Sequence, residues 1–159
     1  MADRVAVTNT SPVIALAVVD ALPLLDALFD RVIVPPEVWE ELLDKPGATE
    51  PDRLRSLRAF TFLPTPKIPP EALALDDGER AAIAHAMAIP GAFVLLDEIA
   101  ARRVAEQLGL PVRGTLGILV EGKRRGLVPA VRPLIEMLLS SGVRLAPNLV
   151  ASICAAVGE

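Results

Sequence analysis

Cysteine is almost missing from this chain: Cys154 stands alone, so no disulfide can form within it and no cysteine cage can hold zinc. A reducing compartment, the cytoplasm, is the natural setting, and Cys154 itself reads as a small buried hydrophobe. Tyrosine is absent and aromatics make up 3% of the residues, although 52% are apolar. Aliphatic side chains and alanine must therefore build the core, which suits helices packed on a parallel sheet. Basic excess is also missing: the net charge is −4 and the pI about 5.1. The chain lacks the footprint of a protein that grips nucleic acid through phosphates alone, so any such role must be local or bridged by a metal ion. The uncharged stretch from Val5 to Val19 is broken by Thr8, Asn9, Thr10, Ser11 and Pro12. It reads as neither a signal peptide nor a membrane span.

What is present has a β-α-β-α rhythm. Its 159 residues fit one compact domain, 1–159. Val5–Thr8 reads as a buried strand, with Ser11 as N-cap and Pro12 at the first position of an apolar helix. Val32–Val34 is a second strand, and Pro35-Pro36 opens a helix through Leu43. Residues 45–70 form a proline-rich variable connection, punctuated by Pro46, Gly47, Pro51, Pro64, Pro66, Pro69 and Pro70. It leaves room for a helix near Arg53–Arg58 and a strand over Phe60–Leu63. A helical pattern over Asp77–Ala88, a strand over Ala92–Leu96 and a helix through Leu108 follow. A short strand at Val112, a helix over Thr115–Arg125 and two apolar helices within 129–159 complete the pattern. Alternation of this kind predicts an α/β fold with a parallel sheet covered on both faces. Ligands of such folds bind beyond the carboxyl ends of the strands, where strand order reverses.

The residues just past the strands are therefore the ones to inspect: Asn9 after the first, Asp97-Glu98 after Leu96. Alone, Asn9 reads as a turn residue and Asp97 as the N-cap of the following helix. The helices add more. On Asp77–Ala88, the apolar stripe of Ala82, Ile83, Ala86 and Met87 is centred on Glu79, so a carboxylate stands where a core residue belongs. Such a group needs a cation, a metal or backbone donors, unless Asp76 and Glu79 simply form a capping box. On the helix of Trp39, the stripe lies opposite Glu37 and is flanked by Glu40 and Glu41, and periodicity does not choose between those two.

Taken together, Val-Thr-Asn-Thr-Ser-Pro at 7–12, Val-Pro-Pro-Glu-Val-Trp-Glu-Glu-Leu at 34–42, Asp-Gly-Glu at 77–79, Leu-Leu-Asp-Glu at 95–98 and Gly-Thr-Leu-Gly at 114–117 resemble the PIN-domain superfamily. More narrowly, they resemble its VapC-toxin-like members that open with an Asn-Thr-Ser-Pro motif. The resemblance runs from Val5 to about Val143. It implies a three-layer sandwich around a central parallel sheet and a metal-dependent endoribonuclease that hydrolyses RNA phosphodiester bonds with Mg²⁺ or Mn²⁺. It also implies a homodimer and an antitoxin partner. Residue by residue, it places metal ligands at Asn9, Glu41, Glu79 and Asp97 with Glu98 beside them, and catalysis at Asp97, Glu79 and Glu41. Thr10, Ser11 and Thr115 fall at supporting polar positions. Many PIN nucleases carry Asp where this chain has Asn9, and an amide offers a carbonyl oxygen but no charge. Two functional classes thus stand side by side: a metal-dependent ribonuclease, and a catalytically weak PIN-like module that binds nucleic acid or protein.

Other polar features have simpler readings. Lys123, Arg124 and Arg125 could touch RNA phosphates, but basic residues in a helix's last turn also favour its dipole. Arg102 and Arg103 read as a solvated face and His85, the only histidine, as a surface residue. Trp39 reads as a core anchor in preference to a base-stacking platform. Leu134, Ile135, Leu138, Leu139, Leu149, Val150, Ile153 and Ala156 recur at helical spacing and read first as core packing; the resemblance makes the same row the candidate partner surface.

Overall fold

A computed structural model describes residues 3–45 and 49–159; Pro46 and Gly47 of the proline-rich connection lie outside the described residues. The strands are β1 (Val5–Thr8), β2 (Arg31–Val34), β3 (Phe60–Phe62), β4 (Phe93–Leu95) and β5 (Val112–Arg113). The helices are α1 (Thr10–Val18), α2 (Pro23–Leu28), α3 (Pro36–Leu43), α4 (Pro51–Arg55), α5 (Asp77–Ala88), α6 (Ile99–Gln107), α7 (Thr115–Arg124), α8 (Arg132–Ser140) and α9 (Pro147–Ala156). All pairings are parallel and the strand order is β3-β2-β1-β4-β5.

Helices cover both faces of this sheet, as the alternation of elements predicts, because each strand sends successive side chains to opposite sides. Ala6, Val32, Val34 and Leu95 join the core formed with α1, α2, α3, α7 and α8. Val5, Val7, Ile33, Val94 and Leu96 join the core formed with α5 and α6. Largely apolar central strands are the consequence in β1, β2 and β4, whose faces are covered, while the edge strands β3 and β5 are only partly buried. Strand order reverses between β1 and β4, so a crevice opens beyond their carboxyl ends.

Several local expectations need correction. The first helix begins at Thr10 with Asn9 at its N-cap, so Ser11 and Pro12 lie inside the first turn, and the Asn9 side chain makes no capping bond. α2 was not anticipated: Pro23 opens it, and Leu24, Leu25 and Leu28 bury one face. The helix expected near Arg53–Arg58 spans Pro51–Arg55. His85 is 2% exposed, not a surface residue. α5 is covered on more than one side, since it packs on β1 and β4 and also against α3. A single apolar stripe therefore understates its burial, and that burial lowers the imidazole pKa although the charge of Glu37 opposes the effect. Arg102 is half-buried and donates to the Leu96 carbonyl at 3.1 Å, so it is not part of a solvated face.

Candidate active site

The Asn9 backbone N–H donates to the Leu95 carbonyl at 3.1 Å, which brings the first residue beyond β1 alongside β4. The Asn9 side chain is buried, 4% exposed, and among the described residues its Oδ1 receives no hydrogen bond. A buried carbonyl oxygen without a donor costs on the order of 1–3 kcal/mol, so its retention asks for a reason. Gly78, in the first turn of α5, lies close against it. A Cβ built on Gly78 would stand 2.7 Å from Asn9 Oδ1 and 3.4 Å from Glu41 Oε2. Glycine thus keeps open the space that both oxygens border.

Glu41 is the acid of α3 that turns this way. Thr10 Oγ1 donates to its Oε2 at 2.8 Å, while Lys45 pairs with Oε1 at 3.1 Å from one turn on. Glu40 is exposed, and Glu37 points elsewhere, accepting from Thr65 Oγ1 at 2.7 and 2.8 Å. Packing of α3 on α1 and α5 therefore makes the choice that periodicity left open.

Glu79 is 7% exposed. Asp76 caps α5 by accepting from the Glu79 backbone N–H at 2.9 Å, which forms half of a capping box. The reciprocal bond from the Glu79 side chain is not made among the described residues. Burial, the adjacent Asp76 carboxylate and the charges of Glu98 and Glu41 push the Glu79 carboxyl up to about 7. Among the described residues no cation pairs with it.

Asp97 does not cap α6; Glu98 occupies that N-cap position, without a side-chain bond. Asp97 instead reaches across to the start of α7. Its Oδ1 accepts from the Thr115 backbone N–H at 2.8 Å, and its Oδ2 from Thr115 Oγ1 at 2.6 Å. The positive end of the α7 dipole favours a carboxylate there. Gly114 permits the approach, since a Cβ on it would lie 3.0 Å from Asp97 Oδ1 and 2.5 Å from Arg102 Nη1.

Of the residues singled out from sequence, Asn9, Thr10 and Glu41 are drawn together, and Glu79 and Glu98 share their electrostatic field. Asp97 and Thr115 form a bonded pair beyond β4. Ser11 makes no hydrogen bond of its own among the described residues. Lys123, Arg124 and Arg125 do not belong to this site. α7 starts at Thr115, beside Asp97, and runs ten residues, or about 15 Å, toward the other end of the sheet. There Lys123 pairs with Glu159 at 2.8 Å and Arg125 with Glu121 at 3.0 Å. Among the described residues, no three Asp, Glu, His or Cys side chains converge as a ready-made metal cage. Sequence reasoning missed Gly78, Lys45 and Arg102; only Lys45 had a signal, its i,i+4 spacing from Glu41.

A family model, DUF3368, described as a PIN domain, matches residues 5–159. The chain belongs to the PIN-domain family. That match spans the sheet, the acidic residues and the C-terminal helices alike, and it places the chain in a superfamily of nucleases that generally use divalent metal ions. No curated protein matches the chain. Among the described residues no helix is long and apolar enough to cross a membrane.

Proposed function

We propose that this PIN domain is a metal-dependent ribonuclease that cleaves single-stranded RNA at the crevice beyond β1 and β4. The observation that carries this reading is the buried, undonated Oδ1 of Asn9 bordering the same small space as Glu41 Oε2. A bare carbonyl oxygen beside a carboxylate suits a hard cation, which takes oxygen ligands. Asn9, Glu41, Glu79 and Asp97 would hold Mg²⁺ or Mn²⁺, with Glu98 at the rim. The chemistry such an ion supplies when bound is neutralisation of phosphate charge and acidification of water.

The chain's own residues prepare the site. The Thr10 hydroxyl fixes Glu41, and Thr115 fixes Asp97 through two donors while leaving lone pairs free on both oxygens. Glu79, with a carboxyl near 7, can hold or release a proton close to neutral pH. Lys45 is the cation paired with these acids among the described residues, so a chain of net charge −4 would meet a polyanion here with metal between them.

A second reading has its own support. The first ligand position is an amide, and the described residues hold no preassembled cage, as expected of a PIN domain retained for binding with little catalysis. Family membership further supports a homodimer and an antitoxin-type partner in the cytoplasm. The exposed Met137 and Leu139 of α8 and Leu149 of α9 make the C-terminal helices the surface to test by gel filtration.

The deciding experiment measures thermal unfolding and single-stranded RNA cleavage with millimolar Mn²⁺ or Mg²⁺ and with excess chelator. Metal should raise Tm by linkage and switch on slow cleavage. Cleavage that persists in chelator would remove the metal-nuclease reading. A metal-induced Tm rise without cleavage would favour the binding module.

A further inference from the structure

A second concavity opens on the same edge of the sheet, over β2 and β3. It has a volume of about 430 Å³ and is lined by Val34, Pro36, Trp39, Arg55 and Phe62. Val34 and Phe62 are the last residues of β2 and β3, and Pro36 opens α3, so the groove lies at the carboxyl edge that also carries Asn9 and Asp97. Trp39 is two residues before Glu41 on the same helix. The groove and the acidic crevice thus share one structural element.

We propose that this groove is a nucleobase subsite, in which Trp39 and Phe62 receive a base of single-stranded RNA while Arg55 meets the adjoining phosphate. The proposal rests on the ribonuclease reading for the bond cleaved, but not for the binding itself. Trp39 is only half-buried, and Phe62, at the end of an edge strand, is 49% exposed. Their rings meet edge to face, with centroids 5.2 Å apart and planes at 74°, which leaves aromatic surface open to the groove. The Arg55 guanidinium carbon lies 5.2 Å from the Trp39 ring centroid.

Two aromatic walls and one cation are what a nucleotide needs: stacking holds the base without regard to its identity, and the guanidinium pairs with phosphate. Among the described residues that line the groove, Arg55 is the one charged side chain, in a chain of net charge −4. Its pairing with Asp52 is an exposed contact at 3.3 Å, weak enough for a phosphate to displace. A helix from a protein partner would instead need a longer apolar track than this single concavity offers.

Trp39 is the only tryptophan of the chain, so intrinsic fluorescence reports on this groove alone. The experiment titrates the whole protein, in millimolar Mg²⁺ and in chelator, with a short single-stranded RNA and with an abasic oligomer of the same length. Binding of each is followed independently by the anisotropy of a labelled oligomer. Saturable quenching by the RNA and none by the abasic backbone is expected. Phe62→Ala, which removes an exposed ring, should weaken RNA binding roughly 5- to 150-fold with an unchanged melting curve. Trp39→Leu should do the same, and Arg55→Ala should lower the salt dependence by about one phosphate contact. RNA binding without quenching, equal quenching by the abasic oligomer, or unchanged affinity in Phe62→Ala would overturn the subsite. Quenching that grows with protein concentration alone would mean that a second copy fills the groove, and would also overturn it. Cleavage without quenching would discard the subsite and leave the nuclease standing. Quenching without cleavage in either metal would discard the nuclease and keep the subsite.

Discussion

The two ends of the sheet use the same acidic side chains to opposite effect. At the amino edge, Glu121 pairs with Arg4 at 2.5 Å and with Arg125 at 3.0 Å, and the Arg4 guanidinium holds its carboxyl below the usual range. Arg4 also lies 5.0 Å and 5.2 Å over the rings of Phe29 and Phe93. Glu159 accepts from Lys123 and from the backbone N–H groups of Val131 and Arg132, which draw its carboxyl down to about 2. At the carboxyl edge, burial and neighbouring acids push Glu79 up to about 7, and Asn9 Oδ1 has no donor among the described residues. An acid that finds a cation stabilises the fold, as Glu121 and Glu159 do, whereas Glu79, buried beside other acids, costs stability while it is charged.

The strongest way to break this comparison is at Asp97. Asp97→Asn keeps an acceptor for the Thr115 backbone N–H but removes the charge. RNA cleavage should fall by about a hundredfold or more, and the metal-induced Tm rise should disappear. Glu40→Gln, on the exposed side of α3, should alter neither. Equal losses in both variants would mean that the carboxyl edge is not a metal site.

At the amino edge, Arg4→Ala should cost stability and nothing else. It leaves Glu121, 19% exposed in its side chain, paired with Arg125 and within the field of Arg113, and uncovers two aromatic rings. A loss of about 2 kcal/mol is expected by chemical denaturation, discounted from the fully buried case because both partners reach solvent. The metal-induced Tm rise should persist. A loss of that response would show that the two edges are not independent.

Glu79 supplies the pH dependence. Its carboxyl titrates about 7 in the fold against 4.5 when unperturbed. As pH rises between these values the unfolded chain loses the proton first, so metal-free stability should fall across that window. Glu79→Gln should flatten the fall, and at pH 8 in chelator should raise stability by on the order of 2 kcal/mol. At pH 4, where the carboxyl is mostly neutral in both states, natural and variant proteins should differ far less than at pH 8. Denaturant midpoints across pH test this, and a variant that is less stable at pH 8 would show that Glu79 is already compensated.

The smallest effect sharpens the comparison. Asn9→Asp adds one charge where Oδ1 now lacks a donor, so it should tighten Mn²⁺ about tenfold, measured by titration calorimetry, and raise cleavage at subsaturating metal. It should also lower metal-free stability, since one more carboxylate joins Glu41 and Glu79. Weaker metal binding by this variant would show that the Asn9 N–H₂ is needed as a donor.

Much of this was legible along the chain. Strand runs such as Val32–Val34 and Ala92–Leu96, helices opened by proline or closed by glycine, and the placement of Asn9 and Asp97 just past strands follow from short-range rules of sterics, capping and periodicity. Even the burial of Glu79 could be read from Ala82, Ile83 and Ala86 around it, although Met87 of the same stripe is 47% exposed, because the phase of an apolar stripe is a property of one helix. Tertiary structure decided what each group meets. It turned Glu41 and not Glu40 toward Thr10, sent Asp97 to Thr115 eighteen residues on instead of to its own helix, and covered His85 with a second packing partner. It also carried Lys123–Arg125 to the far end of the sheet, where their partners include Glu121 and Glu159. Periodicity fixes the direction of a side chain relative to its own helix axis, whereas contacts between elements distant in sequence arise only when strand order sets those axes side by side.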